Sequence, residues 1–328
     1  MKKLKKERKG TMKFIFLCVV VFLLSILGGS ASKFLIKPSS GKEFEMKWSD
    51  EIGTLKTDLA YGKAESNKFD LYLPKDNTKQ NYSLAVYIHA GGFTSGDKAD
   101  DQGILAWLCS KGYVAAGINY TLRTDENNAS VLMQSNEIKA AIPEVVKAAG
   151  EAGYNIDKMT VAGGSAGHAL AMIYAYRDSK QAPVPVVLTF GAVGPSSFHV
   201  EDWGIFGLGM DTDESKISGA HLFSVMSGEE ITVDEITDGS YLAKVNAISA
   251  VDYVKENPIP TVVAYGACDR VQPFEASKRL ENALQENNVD YKFYVLEHSG
   301  HGLQNDEKVT GQWMKSVEEY LAKYMPVE

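Results

Sequence analysis

A serine between glycines, an aspartate and a histidine follow one another along this sequence in an arrangement suited to nucleophilic catalysis. The serine is Ser165, in Gly163-Gly164-Ser165-Ala166-Gly167. This G-x-S-x-G stretch stands between the apolar run Met159–Ala162 and the helix-like Ala169–Asp178. A strand-to-helix turn that sharp needs small flanking residues, and it lifts the hydroxyl clear of the sheet. An alcohol is too weak an acid to attack unaided, so a base and a group that orients the base are required. Thr261–Tyr265 runs into a turn bearing Asp269, and further on His301 sits in Ser299-Gly300-His301-Gly302. In this reading Ser165 attacks, His301 takes its proton, and Asp269 fixes the imidazole tautomer and stabilises the imidazolium. His298 is the competing base. Glu297 and Ser299 flank it, whereas a glycine on each side frees His301 to reach across a sheet edge.

Catalysis of this kind also needs donors for a developing oxyanion. Leu84–His89 leads into His89-Ala90-Gly91-Gly92-Phe93. The adjacent glycines let the N–H groups of Gly91 and Gly92 approach a substrate oxygen with no Cβ in the way. The N–H of Ala166, at a helix N-terminus, faces the same oxygen. The plainer readings are a bare Gly-Gly turn and a structural strand-to-helix turn. His89 reads as a structural ring that fixes its loop, and His168 as packing or support behind the site. His199 and His221 imply no function. No third ligand cluster accompanies His298 and His301, so no metal is expected. Residues 56–328 offer no phosphate-binding glycine fingerprint, so no organic cofactor is expected either.

Positioning these groups requires a scaffold, and the pattern of the chain describes one. Phe69–Leu73 alternates at period 2 and stops at Pro74, while Leu84–His89, Tyr113–Ile118, Met159–Ala162, Val184–Phe190, Thr261–Tyr265 and Tyr291–Leu296 are short and mostly apolar. That is how strands covered on both faces read. Ile138, Ile142, Val145, Val146 and Ala149 recur at helical spacing, as do Val309, Trp313, Val317, Tyr320, Leu321 and Tyr324. Strand–helix alternation predicts an α/β fold with a mainly parallel central sheet and helices on both faces. Residues 196–252 break the rhythm with a Gly/Asp/Ser-rich stretch carrying Trp203, Phe206, Leu208, Met210, Leu222 and Phe223. An excursion of that length is expected to form a small cap over the sheet's carboxyl edge.

Composition sets the outer bounds. Hydrophobic residues make up 45% and charged residues 23% of the 328, which excludes collagen-like, coiled-coil and largely disordered chains. The net charge is −8, yet residues 1–31 hold seven Lys/Arg and one acid, so the remainder carries about −14. A body that acidic repels nucleic acid and polyanionic substrates. The basic start, the apolar Phe14–Leu27 and the small residues Gly28–Ser32 have the three parts of a secretory signal peptide. Residues 1–31 are thus expected to be a signal peptide or an N-terminal membrane anchor, and the protein to be exported, either secreted or attached to the cell surface. Residues 32–55 read as a tether or irregular lead-in, and 56–328 as the catalytic domain. Cys109 and Cys268 read as buried thiols.

From about residue 56 to 326 the chain resembles the α/β-hydrolase superfamily, specifically the exported carboxylesterases grouped with hormone-sensitive-lipase-like enzymes. The resemblance rests on "KFDLYLP", "VYIHAGGFTSGDK", "KGYVAAGINYTLR", "VAGGSAGHALA", "IPTVVAYGACDRVQP" and "LEHSGHG", which occur in the family's order. It implies an α/β-hydrolase fold, a triad of Ser165, Asp269 and His301, and an oxyanion hole of Gly91, Gly92 and Ala166. Ala90 replaces the family's first glycine and Gly164 the acid before its nucleophile, while its Tyr-Arg pair reads Tyr120-Thr121 with Arg123 two residues on. The activity implied is serine-dependent cleavage of carboxylic esters through an acyl-enzyme. Acetyl or other short acyl groups on polysaccharides or small alcohols are the substrates this suggests. An amidase or peptidase would use the same triad. A non-catalytic, hydrolase-like binding protein would usually have lost one of these groups, and all are present here.

Overall fold

The computed structural model describes residues 44–327. The proposed signal or anchor segment, 1–31, and the lead-in up to residue 43 lie outside the described residues. Eight strands form one sheet: β1 (Gly53–Ala60), β2 (Lys68–Pro74), β3 (Tyr82–Ile88), β4 (Val114–Ile118), β5 (Ile156–Gly164), β6 (Val186–Ala192), β7 (Thr261–Gly266) and β8 (Tyr291–Leu296). Their order is β1-β2-β4-β3-β5-β6-β7-β8. From β4 to β8 the neighbours pair in parallel, while β2 joins β4, and β1 joins β2, antiparallel. Such a sheet suits the apolar, β-branched runs of β3 and β7, whose Leu84, Val86, Ile88, Val262 and Val263 are fully buried. Each such side chain contributes about 1.5–3 kcal/mol relative to exposure.

Helices cover both faces. On one side lie α1 (Gln102–Ser110) and α8 (Glu307–Tyr324), whose Leu105, Trp107, Val317 and Leu321 pack with Ala85 and Phe190 of the sheet. The other side carries α2 (Val131–Glu151), α3 (Ala166–Ile173) and α7 (Phe274–Glu286). The apolar stripe Ile138, Ile142, Val145 and Ala149 is buried against this face, as its spacing predicts. Beyond α3 the helix loosens into one π-helical turn, Tyr174–Asp178.

Between β6 and β7 the insertion holds α4 (Asp213–Ser227), α5 (Val233–Asp238) and α6 (Leu242–Val245). Its Phe198, Trp203, Phe223 and Tyr241 stack in one aromatic group. That group belongs to the same core cluster as α2 and α3. Asp202 ties the insertion to α7 through Arg279, at 2.5 and 3.0 Å.

Two local features depart from the sequence reading. Phe44 is buried, packing edge-on to Trp107, and Trp48 packs edge-on to Tyr72; β1 then begins at Gly53, inside the stretch read as tether or lead-in. Cys109 is a buried free thiol, but Cys268 is exposed, because it lies on the loop that carries Asp269.

Parallel register places all the chemistry at one edge. Ile88 is level with Gly163, Gly163 with Gly191, and Gly266 with Leu296. The neighbours of β3 are β4 on one side and β5 on the other, so successive crossovers depart in opposite directions. A crevice opens at the carboxyl ends of strands where that reversal occurs.

Candidate active site

Ser165 occupies the turn from β5 into α3 with φ 51° and ψ −120°. A non-glycine residue seldom adopts that conformation, and its surroundings must enforce it. They do so by close approach. A Cβ on Gly167 would fall 1.9 Å from the carbonyl oxygen of Ile88, and one on Gly163 2.5 Å from the Gly167 backbone. Only glycine fits at either position, which is the physical content of the motif. The Ser165 N–H donates to the Ala192 carbonyl at 2.8 Å, fixing the turn from below.

Asp269 is buried at the end of β7. Its Oδ1 accepts from the N–H groups of Val271 and Gln272 at 2.8 and 3.0 Å. Its Oδ2 lies 2.8 Å from His301 Nδ1. A carboxylate accepts here, so Nδ1 carries the proton and Nε2 is left with its lone pair. That nitrogen stands 2.8 Å from Ser165 Oγ. The structure thus brings the three sequence-selected residues into one hydrogen-bonded chain from acid to nucleophile.

The loops bearing acid and base are stitched together. Cys268 N–H donates to Ser299 carbonyl at 2.9 Å, and Ala267 N–H to Leu296 carbonyl at 3.0 Å. Asp306 then pins the His301 loop from behind. It accepts from His298 N–H at 2.9 Å, His298 Nδ1 at 2.9 Å and Ser299 Oγ at 2.6 Å. His298 is 80% exposed and faces Asp306, not Ser165. Its pKa is raised by that hydrogen bond and charge. Sequence reasoning missed Asp306. Its one signal was a position just ahead of a helix, which reads as an N-cap, but the carboxylate turns back to the loop.

Gly91 and Gly92 follow β3, and Ala166 opens α3 next to Ser165, so the turns that carry them lie at the same edge of neighbouring strands. Gly91 and Gly92 have φ of 123° and 60°. The Gly91 carbonyl turns away to accept from Thr94 N–H, Ser95 N–H and Ser95 Oγ. His89 holds this loop. Its Nδ1 donates to Ala90 carbonyl at 2.7 Å, and its ring stacks on Tyr120 at 4.3 Å. Tyr120 in turn donates to the His89 carbonyl, and Arg123 N–H donates to that of Phe93. Thr121, which replaces the family arginine, is bound by Glu137.

His168 lies under the nucleophile, fully buried. Its Nδ1 accepts from Gly194 N–H at 3.2 Å, so Nε2 carries the proton. Burial lowers its pKa to about 3. A buried neutral histidine stabilises the fold fully above its unfolded pKa of about 6.5 and loses that contribution as pH falls toward 3. The expected loss is about 1.4 kcal/mol per pH unit in that window. Urea unfolding at several pH values measures it. His168→Asn retains an acceptor for Gly194 without titrating and should remove that part of the slope; an unchanged slope would count against the assignment.

Among the described residues no group of three or more His, Cys, Asp or Glu could hold a metal ion. No described helix is long and apolar enough to cross a membrane.

Comparison with known proteins agrees with this architecture. A truncated carbohydrate esterase from gut microbiota superposes with a TM-score of 0.66 at 19% identity, covering 84% of this chain and 98% of that one. Esterase B from Lactobacillus rhamnosis gives 0.62 at 17% identity, covering 94% of each chain. Est2, an esterase from the planctomycete Thermogutta terrifontis, gives 0.63 at 19% identity, with coverages of 83% and 93%. A search among curated proteins by sequence finds no match. The BD-FAE family model matches residues 69–284, a span from the start of β2 through the nucleophile and the acid to the last residues of α7. With that match across most of an α/β-hydrolase fold, the chain belongs to the BD-FAE family.

Proposed function

We propose that this protein is a serine esterase that cleaves short acyl esters, acetyl groups above all, from polysaccharides or small alcohols. The observation that carries the reading is the chain Asp269–His301–Ser165, with both links at 2.8 Å. His301 Nε2 takes the serine proton as Oγ attacks the ester carbonyl, and Asp269 stabilises the imidazolium that results. The N–H groups of Gly91, Gly92 and Ala166 hold the oxyanion. One such donor is worth about 10²–10³ in kcat. His301 then protonates the departing alcohol, leaving Ser165 acylated. Water, activated by the same imidazole, releases the acid.

Two neighbours support this reading: one is a carbohydrate esterase, and Est2 has been captured phosphorylated by paraoxon. A basic–apolar–small N-terminus supports export, with the substrate met outside the cell and the segment either removed or kept as a membrane attachment. Neither metal nor organic cofactor enters the proposed steps. The test is a panel of p-nitrophenyl esters from C2 to C12, acetylated xylan and a matched anilide. Turnover is expected to be greatest at C2–C4 and on acetylated xylan, with the anilide far slower. A preference for the anilide would replace the esterase reading with an amidase.

A further inference from the structure

Two positions at which the chain departs from the resembling enzymes, Ala90 and Gly164, adjoin one unfilled space beside Ser165. A methyl group on Gly164 would stand 3.7 Å from the Tyr87 hydroxyl and 4.0 Å from Ala90 Cβ, with no other heavy atom outside the adjoining residues nearer than these. Ala90 is exposed and Gly164 and Tyr87 partly so; the space is open to solvent. The ring of Tyr87 is held by the sheet, level with Ala162 and Gly117, and packs against Phe190. Its hydroxyl has no hydrogen-bond partner among the described residues. Burial, then the charges of Asp101 and Glu45, raises the phenol's pKa, so the hydroxyl keeps its proton and can donate.

The crevice has a definite side. Tyr87 packs with the cluster of α1 and α8, and Trp313 of α8 touches both that cluster and the one containing Leu303, two residues beyond His301. Crevice and base therefore lie on the same face of the sheet. The departing alcohol takes its proton from His301, so it leaves on that face.

We propose that Tyr87, Ala90 and Gly164 form the subsite for the alcohol half of the ester, and that the Tyr87 hydroxyl selects an uncharged, hydroxyl-bearing alcohol such as a sugar ring. The inference rests on the esterase reading above. The Glu45 carboxylate disfavours an anionic alcohol at the same place.

Two acetates with different alcohols test it, because both give the same acetyl-enzyme and differ only before it forms. The substrates are mono-acetylated methyl β-xyloside and ethyl acetate. Tyr87→Phe is expected to lower kcat/KM for the xyloside about 5- to 10-fold, the worth of one net hydrogen bond, and to change ethyl acetate by less than about twofold. Gly164→Ala places a methyl group over the hydroxyl at ordinary contact distance. It should produce the same selective loss with Tyr87 in place. Equal losses on both esters, or none on either, in these folded variants would overturn the subsite while leaving the esterase standing. Failure of the unaltered protein to hydrolyse either acetate would sink the esterase reading, and the subsite with it.

Discussion

Ser165→Ala is expected to lower kcat by about 10⁴–10⁶-fold and leave the fold intact. The size follows from the arrangement. Ser165 Oγ is the atom hydrogen-bonded to His301 Nε2 at 2.8 Å, and among the described residues no other hydroxyl shares that nitrogen. Removing it leaves the oxyanion donors and the binding surfaces, which sustain only residual catalysis over water. The fold should tolerate the change, since Ser165 makes its fixing bond through its N–H to Ala192 carbonyl. Alanine also relieves no clash and opens no cavity at this half-exposed turn. Steady-state kinetics with p-nitrophenyl acetate, beside urea unfolding of both proteins, measures the two halves of the expectation. Mass spectrometry after fluorophosphonate treatment should find the label on Ser165 alone. Stoichiometric label on another serine would refute the assignment.

The base and its orienting acid should be nearly as costly. His301→Ala is expected to match Ser165→Ala, because the members of such a triad act as a unit and the second loss adds little to the first. Asp269→Asn should cost about 10⁴-fold through the wrong imidazole tautomer. Its amide nitrogen would face His301 Nδ1 and turn that atom into an acceptor, leaving Nε2 protonated and unable to take the serine proton. His298→Ala is the internal control. That ring is 80% exposed and pairs with Asp306, which keeps its bonds to His298 N–H and Ser299 Oγ when the ring is gone. A change of a few-fold at most is expected. Comparable kcat values for His301→Ala and the unaltered enzyme, or a collapse in His298→Ala, would reassign the base.

Much of this site was legible because its constraints are local. The elbow needs Gly163 and Gly167 for backbone clearance, and a Cβ at either would collide within 3 Å. Such contacts leave a mark in composition whatever the rest of the chain does. The strands β3 and β7 were readable for a similar reason: both faces are largely covered, so the runs are mostly apolar. β1 was not. It is an edge strand with Lys56, Thr57 and Asp58 exposed, and nothing in Gly53–Ala60 signals a strand until β2 offers a ladder. Trp48 and Phe44 were likewise unreadable, since their burial depends on Tyr72 and Trp107. Asp306 and Tyr87 escaped for a third reason. Each matters through where its oxygen lies relative to another loop, and no spacing along the chain encodes that.

The bond between Ser165 and His301 joins residues 136 positions apart, and this separation governs when in the life of a chain activity can appear. Synthesis delivers the nucleophile halfway along, with β3 and β5 already present to shape its turn. The base comes near the end, on a loop pinned by Asp306 at the threshold of the last helix. That helix is itself fastened late, by Tyr320, Lys323 and Tyr324 converging on Asp290. Until these final residues dock, Ser165 is an ordinary alcohol. A chain whose residues 290–324 have not yet folded onto the sheet is therefore chemically silent toward esters. Loss of α8 would uncover the sheet face it packs on and leave the nucleophile dormant.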